Sequence, residues 1–110
     1  MSPREELHLL TVAEAGRRFR DGSLTPSDYV SALMERIRRL DPHLRSVITL
    51  AGAPAVDIES WRGPLHGIPI GIKDSIATAG IRTTANSRVL ADWVPAEDAP
   101  SVAALRAAGR

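Results

Sequence analysis

The sequence predicts an α/β fold. Two segments within the first 45 residues carry apolar side chains at helical spacing, and a third helical pattern lies near residue 105. Between the second and third helical patterns lies an isoleucine-rich segment, residues 68–73, that is typical of a strand. A strand, a connection and a helix form most of a βαβ unit, whose crossover returns to a parallel neighbouring strand. We expect that second strand to lie outside these residues.

The first two helices carry clear start signals. Thr11 and Glu14 have the spacing of a capping box, and Asp21-Gly22 is a typical helix end. Thr25 is the predicted N-cap of a longer helix, with a proline at the next position. Its apolar side chains recur at helical spacing until Asp41-Pro42, where we expect the helix to stop.

The remaining elements are shorter. Residues 47–50 are β-branched and predict a short strand, and residues 51–63 form a connection with a turn of helix around Ile58. A second strand is predicted at residues 70–73. The last helix is expected to run from about Asp98 to Gly109.

Size and composition limit the classes of function. The chain has 110 residues, of which 16 are alanine and four are aromatic, so we expect one small domain with a thin core. The formal net charge of +1 predicts neither a nucleic-acid partner nor an anionic membrane surface. The chain has no cysteine, the N-terminus lacks an export signal, and no apolar stretch is long enough to span a membrane. The cytoplasm is therefore the expected compartment.

Lys73 is the sole lysine among 14 basic residues. An ammonium can give up its proton when it is desolvated, whereas a guanidinium cannot, so a lysine can serve as a general base. On a strand, Gly71 would share the face of Lys73 and leave open space beside the amine, while Asp74 would point to the opposite face. The alternative is a lysine that extends to water or pairs with a distant acid.

The order of motifs around Lys73 resembles the N-terminal part of the amidase signature family. The resemblance is carried by Gly63–Asp74, Thr78–Gly80, Thr83–Ser87 and Glu97–Ala99, with Leu40-Asp41-Pro42 upstream. It implies helices packed on a mixed sheet and hydrolysis of amide bonds by a Ser, cis-Ser, Lys triad. Lys73 matches the triad lysine, which acts as general base, and neither a metal nor an organic cofactor is implied. We therefore interpret residues 1–110 as a partial amidase domain, with residues 1–45 as a helical lead-in and residues 46–110 as the first strands and a following helix.

The chain also departs from the family pattern. The family's Gly-Gly-Ser-Ser-Gly-Gly-Ser region, which supplies the cis-Ser, the nucleophile and the oxyanion hole, is absent from these 110 residues. We therefore expect a fragment that is inactive alone and that needs a partner chain or a C-terminal part to complete the sheet. The substrate of the complete enzyme is expected to be a small-molecule amide. Asn86 stands where glycine or alanine is more usual, and asparagine tolerates a positive φ there.

Other functions remain open from the sequence. Ser75 or Ser87 could act as a local nucleophile, but neither lies in a glycine-rich loop that would provide oxyanion donors. His66, between Leu65 and Gly67, is interpreted as a packing residue rather than a catalytic one. Two alternatives to a hydrolase are a non-catalytic module that docks onto an amidase partner and a Schiff-base enzyme that uses Lys73.

Overall fold

The computed structural model describes residues 6–52 and 63–109. After a 3₁₀ turn, these described residues form three α-helices, which are α1 (Val12–Asp21), α2 (Pro26–Leu44) and α3 (Pro100–Ala107). Within these two ranges, no helix is both long and apolar enough to cross a membrane.

The predicted starts of α1 and α2 are confirmed. The Thr11 hydroxyl accepts a hydrogen bond from the Glu14 N–H at 3.1 Å, and the Glu14 carboxylate accepts one from the Thr11 N–H at 3.3 Å. The end of α1 is also as predicted, because Gly22 follows it with a φ of 82°. At the start of α2, the Thr25 hydroxyl accepts the Asp28 N–H at 3.1 Å. Each helix therefore satisfies one of its free N–H groups with a side chain.

The predicted end of α2 is wrong. The helix continues to Leu44 with Pro42 inside it. Pro42 lies in the last turn, where its missing N–H removes one hydrogen bond without interrupting the turns before it. The Asp41 carboxylate stabilises the end, because it accepts hydrogen bonds from the Ser46 N–H at 2.7 Å, the Ser46 hydroxyl at 2.9 Å and the Val47 N–H at 3.0 Å.

The described residues contain no β-strand. The predicted strands at residues 47–50 and 70–73 belong to no ladder, and the part of the chain that the structure describes has one isolated antiparallel bridge, between Thr78 and Ile81. A ladder requires a neighbouring strand to accept its backbone hydrogen bonds. The structure shows the helices of the predicted α/β fold, and the mixed sheet stays a prediction. The turn of helix predicted around Ile58 lies outside the described residues.

The core lies where α1, α2 and the isoleucine-rich segment meet. The rings of Phe19 and Tyr29 pack edge to face, with their centroids 5.6 Å apart. The buried apolar side chains of this cluster are Ala15, Phe19, Leu24, Tyr29 and Ile68. Because Ile68 belongs to the cluster, the core fixes the start of the segment that carries the lysine.

The helix α3 begins later than the sequence predicts, at Pro100. Asp98, which was expected to begin it, has another role. One of its carboxylate oxygens accepts the Ala79 N–H at 2.7 Å, and the other forms an ion pair with the Arg106 Nε at 2.8 Å. Asp98 therefore joins α3 to the turn at residues 78–81.

Candidate active site

The lysine segment, residues 67–74, begins at the junction of α1 and α2. Gly67 has a φ of 78°, and a Cβ atom placed on it would lie 3.1 Å from the Phe19 Cε2 and from the Pro26 ring. The preceding turn is closed by a hydrogen bond from the His66 N–H to the Gly63 carbonyl at 3.0 Å. His66 is 4% exposed, as expected for a packing residue. This end of the segment is therefore held by close contact with both helices.

The middle of the segment is open to solvent. Gly71 has no atom within 4 Å of the position a Cβ would take, so there is open space beside its backbone. Ile70 is 37% exposed, whereas Ile68, two residues earlier, is buried. Lys73 is also exposed, and the expected desolvation of its amine is not seen. Both differences have one physical cause, since among the described residues no strand pairs with this segment and covers it.

Asp74 holds the far end of the segment. Its carboxylate accepts hydrogen bonds from the Thr84 N–H at 3.1 Å and from the Thr84 hydroxyl, and its carbonyl accepts the Ala85 N–H at 2.8 Å. The Thr84 side-chain hydrogen bond, followed by the Thr84 N–H and the charge of Arg82, lowers the pKa of Asp74 from its usual value near 3.8, although partial burial opposes this shift. Asp74 is therefore engaged by Thr84 and not by the neighbouring amine.

Thr84 is the residue that sequence analysis missed. It is separated from Asp74 by ten positions, so no helical or strand periodicity links the two. The turn after it has left-handed backbone, with a φ of 50° at Ala85 and 57° at Asn86. The positive φ expected to suit Asn86 is thus observed.

The two serines weighed as local nucleophiles differ in environment. Ser75 is exposed on the turn directly after Asp74. Ser87 is half-buried, and its hydroxyl accepts the Val89 N–H at 3.2 Å within its own turn. Within residues 6–52 and 63–109, no three His, Asp or Glu side chains gather in an arrangement that could hold a metal ion. The described site therefore has an exposed amine on the first residue of a hydrogen-bonded turn, two positions after the open backbone at Gly71.

Comparison with known proteins decides how this arrangement is interpreted. The family model described as Amidase matches residues 28–110, a range that contains most of α2, the lysine segment and α3. The chain belongs to the amidase family. Within this family, the matched region includes the whole Gly63–Asp74 block on which the sequence resemblance rests.

The sequence similarity to amidase relatives extends over most of this chain. It is 41% identical over 112 residues to a glutamyl-tRNA(Gln) amidotransferase subunit from Roseiflexus sp. (strain RS-1), covering 94% of this chain and 23% of the relative. It is 40% identical over 96 residues to the corresponding amidotransferase subunit from Sulfolobus acidocaldarius, covering 82% of this chain and 20% of the relative. It is also 38% identical over 110 residues to the putative amidase AmiD of Mycobacterium bovis, covering 91% of this chain and 23% of the relative. The chain thus spans about a quarter or less of the length of the relatives it matches.

Proposed function

We propose that this chain supplies the general-base lysine of an amide-hydrolysing enzyme. The observation that carries the proposal is the family match over residues 28–110, which includes Lys73 within the Gly-Ile-Lys-Asp block. The nucleophilic serine, the bridging cis-serine and the oxyanion donors would come from residues outside this sequence. The 110 residues alone would therefore not turn over an amide.

The proposed chemistry assigns one proton path to Lys73. The neutral amine accepts the proton of the nucleophilic serine through the cis-serine while the serine oxygen attacks the amide carbonyl. As the carbon–nitrogen bond breaks, the same proton passes to the leaving amine. Water then releases the acyl group from the serine. An arginine cannot take this role, because its guanidinium keeps its proton.

The geometry supports this role in two ways. The lysine segment is held at both ends, by the contact of Gly67 with Phe19 and by the hydrogen bonds of Asp74 to Thr84. Between these ends, the open space at Gly71 leaves room for a serine-bearing loop to approach the amine. A base on a fixed backbone with an open approach fits proton transfer to a group from another part of the enzyme.

The names of the relatives guide the choice of substrate class. The same region occurs in proteins named as subunits of a glutamyl-tRNA(Gln) amidotransferase and in one named putative amidase. We assign to this chain the chemistry common to both names, which is cleavage of an amide carbon–nitrogen bond.

A docking module is the second candidate function. Exposed apolar side chains favour it, since Leu44, Ile48 and Leu50 lie at or after the end of α2 and are between 40% and 67% exposed. Such a group of exposed apolar side chains is typical of a surface that another protein covers. In this function the chain would bind an amidase body without contributing to turnover.

A chimera tests the general-base assignment. The matching segment of the Mycobacterium bovis relative would be replaced by this chain, and hydrolysis of simple aliphatic and aryl amides would be measured. We expect Lys73→Ala to lower turnover by at least about 10²-fold, because general-base catalysis contributes about 10²–10⁴-fold. Lys73→Arg should do no better, and Arg88→Ala, which removes an exposed cation elsewhere in the matched region, should leave turnover unchanged.

The outcomes separate the candidates. Retained turnover in Lys73→Ala or Lys73→Arg would contradict the general-base role. A stable complex between this chain and the relative's remaining body, with turnover independent of Lys73, would favour the docking module. Turnover by the 110 residues alone that is lost in Lys73→Ala would mean that a local serine is the nucleophile. Borohydride trapping of a carbonyl compound on Lys73 would support the Schiff-base alternative.

A further inference from the structure

The hydrogen bonds of Asp74 join two turns that are distant in sequence. The first turn follows the lysine and is closed by a hydrogen bond from the Ile76 N–H to the Lys73 carbonyl at 2.9 Å. The second turn begins at Thr84. Three hydrogen bonds connect them, two to the Asp74 carboxylate and one to its carbonyl, and all three donors lie on Thr84 and Ala85.

The second turn is itself anchored. Thr83 and Thr84 are both buried, at 3% and 6% exposure. The Thr83 N–H donates to the Trp93 carbonyl at 2.9 Å, and the Thr83 hydroxyl donates to the Ile81 carbonyl at 3.1 Å. The donors of the hydrogen bonds that Asp74 accepts therefore belong to a turn whose own position is fixed by buried contacts.

Apart from the hydrogen bonds of the turn that follows it, Lys73 has few contacts that hold it in place. Its side chain is exposed, the preceding Gly71 is in open space, and Ile70 is partly exposed. Between the buried Ile68 and the hydrogen bonds of Asp74, the backbone has no ladder to hold it. The position of the Lys73 backbone relative to the rest of the protein thus depends on the residue directly after it.

We propose that Asp74 is the positioning residue for Lys73 and that Thr84 is the group through which it acts. This inference rests on the proposed function, because it assigns to Lys73 a task that requires an accurate position. A catalytic group must be held within about 0.5 Å of its productive geometry. A carboxylate with both oxygens bound to one buried threonine restrains the backbone next to Lys73 and leaves the amine itself available.

A nuclear magnetic resonance experiment on the 110-residue chain tests the proposal without needing catalysis. Since Lys73 is the sole lysine, growth on ¹⁵N-lysine gives one backbone amide signal that requires no assignment. In the unaltered chain we expect a dispersed signal with an order parameter of about 0.85, the value of rigid backbone. In Asp74→Asn and in Thr84→Val, the signal should move toward the random-coil position and the order parameter should fall below about 0.6.

Two further variants serve as controls. Thr84→Ser keeps the hydroxyl and should restore the signal of the unaltered chain. Asp41→Asn removes a carboxylate with a closely similar pattern, since Asp41 accepts hydrogen bonds from the N–H and the hydroxyl of Ser46. It lies at the end of α2, its carboxylate accepts hydrogen bonds from Ser46 and Val47 rather than from residues 67–74, and its replacement should leave the Lys73 signal unchanged. If Asp74→Asn loses its helical circular dichroism, the Lys73 signal of Thr84→Val tests the proposal instead, because this variant removes the hydroxyl and keeps the N–H.

Three results would overturn the proposal. In the first, Thr84→Val and Asp74→Asn leave the Lys73 signal unchanged. In the second, Asp41→Asn moves this signal as far as Asp74→Asn does. In the third, the unaltered chain already gives a random-coil signal for Lys73. In the chimera, Asp74→Asn should lower kcat with little change in KM. A chimera in which Lys73→Ala has no effect would contradict the proposed function alone, because the spectroscopic result does not depend on turnover.

Discussion

Single glycines in the lysine segment have opposite structural roles. Gly67 has a positive φ and lies against Phe19 and Pro26, so both its backbone conformation and its lack of a side chain are needed. Gly71, four residues later, has open space around the position of a Cβ and no positive φ. The same residue type therefore allows close contact with the helices at one position and leaves open space at the other.

Alanine substitutions distinguish these two roles. Gly67→Ala should lower the free energy of unfolding by about 1–3 kcal/mol, because alanine is strained at positive φ and its methyl group would press on Phe19. Gly71→Ala is the matched control and should be neutral or stabilising by up to about 1 kcal/mol, since alanine restricts the unfolded chain. Urea unfolding followed by circular dichroism measures both. Equal effects at the two positions would contradict the contact seen at Gly67.

At the scale of elements, α2 is the part that local sequence signals specify best. Thr25 caps its start, Pro26 occupies the first helical position, and Asp28 lies in the first turn where the helix dipole favours an acid. Its end depends instead on Asp41, whose carboxylate binds the backbone beyond the helix. The start of α2 is thus fixed by adjacent residues, and its end by a side chain that reaches forward.

Removal of the Thr25 cap should weaken α2. Thr25→Ala would leave the Asp28 N–H without its side-chain acceptor and should cost about 1 kcal/mol, whereas Thr25→Ser should cost much less because it keeps the hydroxyl. Thermal unfolding followed at a helical wavelength measures the difference. A serine variant as unstable as the alanine variant would show that the hydroxyl is not the stabilising group.

At the scale of the whole molecule, carboxylates hold the turns that connect the elements. Asp21, Asp41 and Asp74 each accept hydrogen bonds from a serine or threonine and from backbone N–H groups, and the side-chain hydrogen bond is the largest cause of the lowered pKa of each. A group whose pKa is lower in the folded state binds protons more weakly there than in the unfolded chain. It therefore contributes stability above its ordinary pKa, near 3.8, and loses that contribution as the pH falls through the folded value.

Acid should consequently destabilise the fold. We expect the melting temperature to fall as the pH is lowered from about 5 to about 2, the range in which such carboxylates take up protons. Asp41→Asn should reduce the size of this fall, because one of the three groups no longer titrates. A melting temperature that is constant or rises over the same range would contradict these carboxylate contacts.

The dimensions of the molecule agree with the thin core expected from its composition. Its radius of gyration is 15.2 Å, compared with about 13 Å for a compact domain of this length. Among the described residues, the buried apolar cluster lies at the junction of α1 and α2 with Ile68. Large apolar side chains such as Ile48 and Val89 remain exposed, which accords with a region that packs against further protein.

The sequence by itself determined the features that depend on neighbouring residues. The capping box at Thr11, the cap at Thr25 and the glycine after α1 were all predicted, because each is a hydrogen bond or a backbone conformation within a few positions. The family was also recognisable from the sequence, since the block around Lys73 has a specific order of residues.

Only the tertiary structure decided the features that depend on distant residues. Asp74 accepts hydrogen bonds from Thr84, ten positions away, and Asp98 accepts one from Ala79, 19 positions away. No local sequence pattern predicts contacts at such separations. The exposure of Lys73 likewise depends on whether another part of a protein covers its segment. Local sequence sets backbone preferences, whereas burial and long-range hydrogen bonds depend on which segments meet in space.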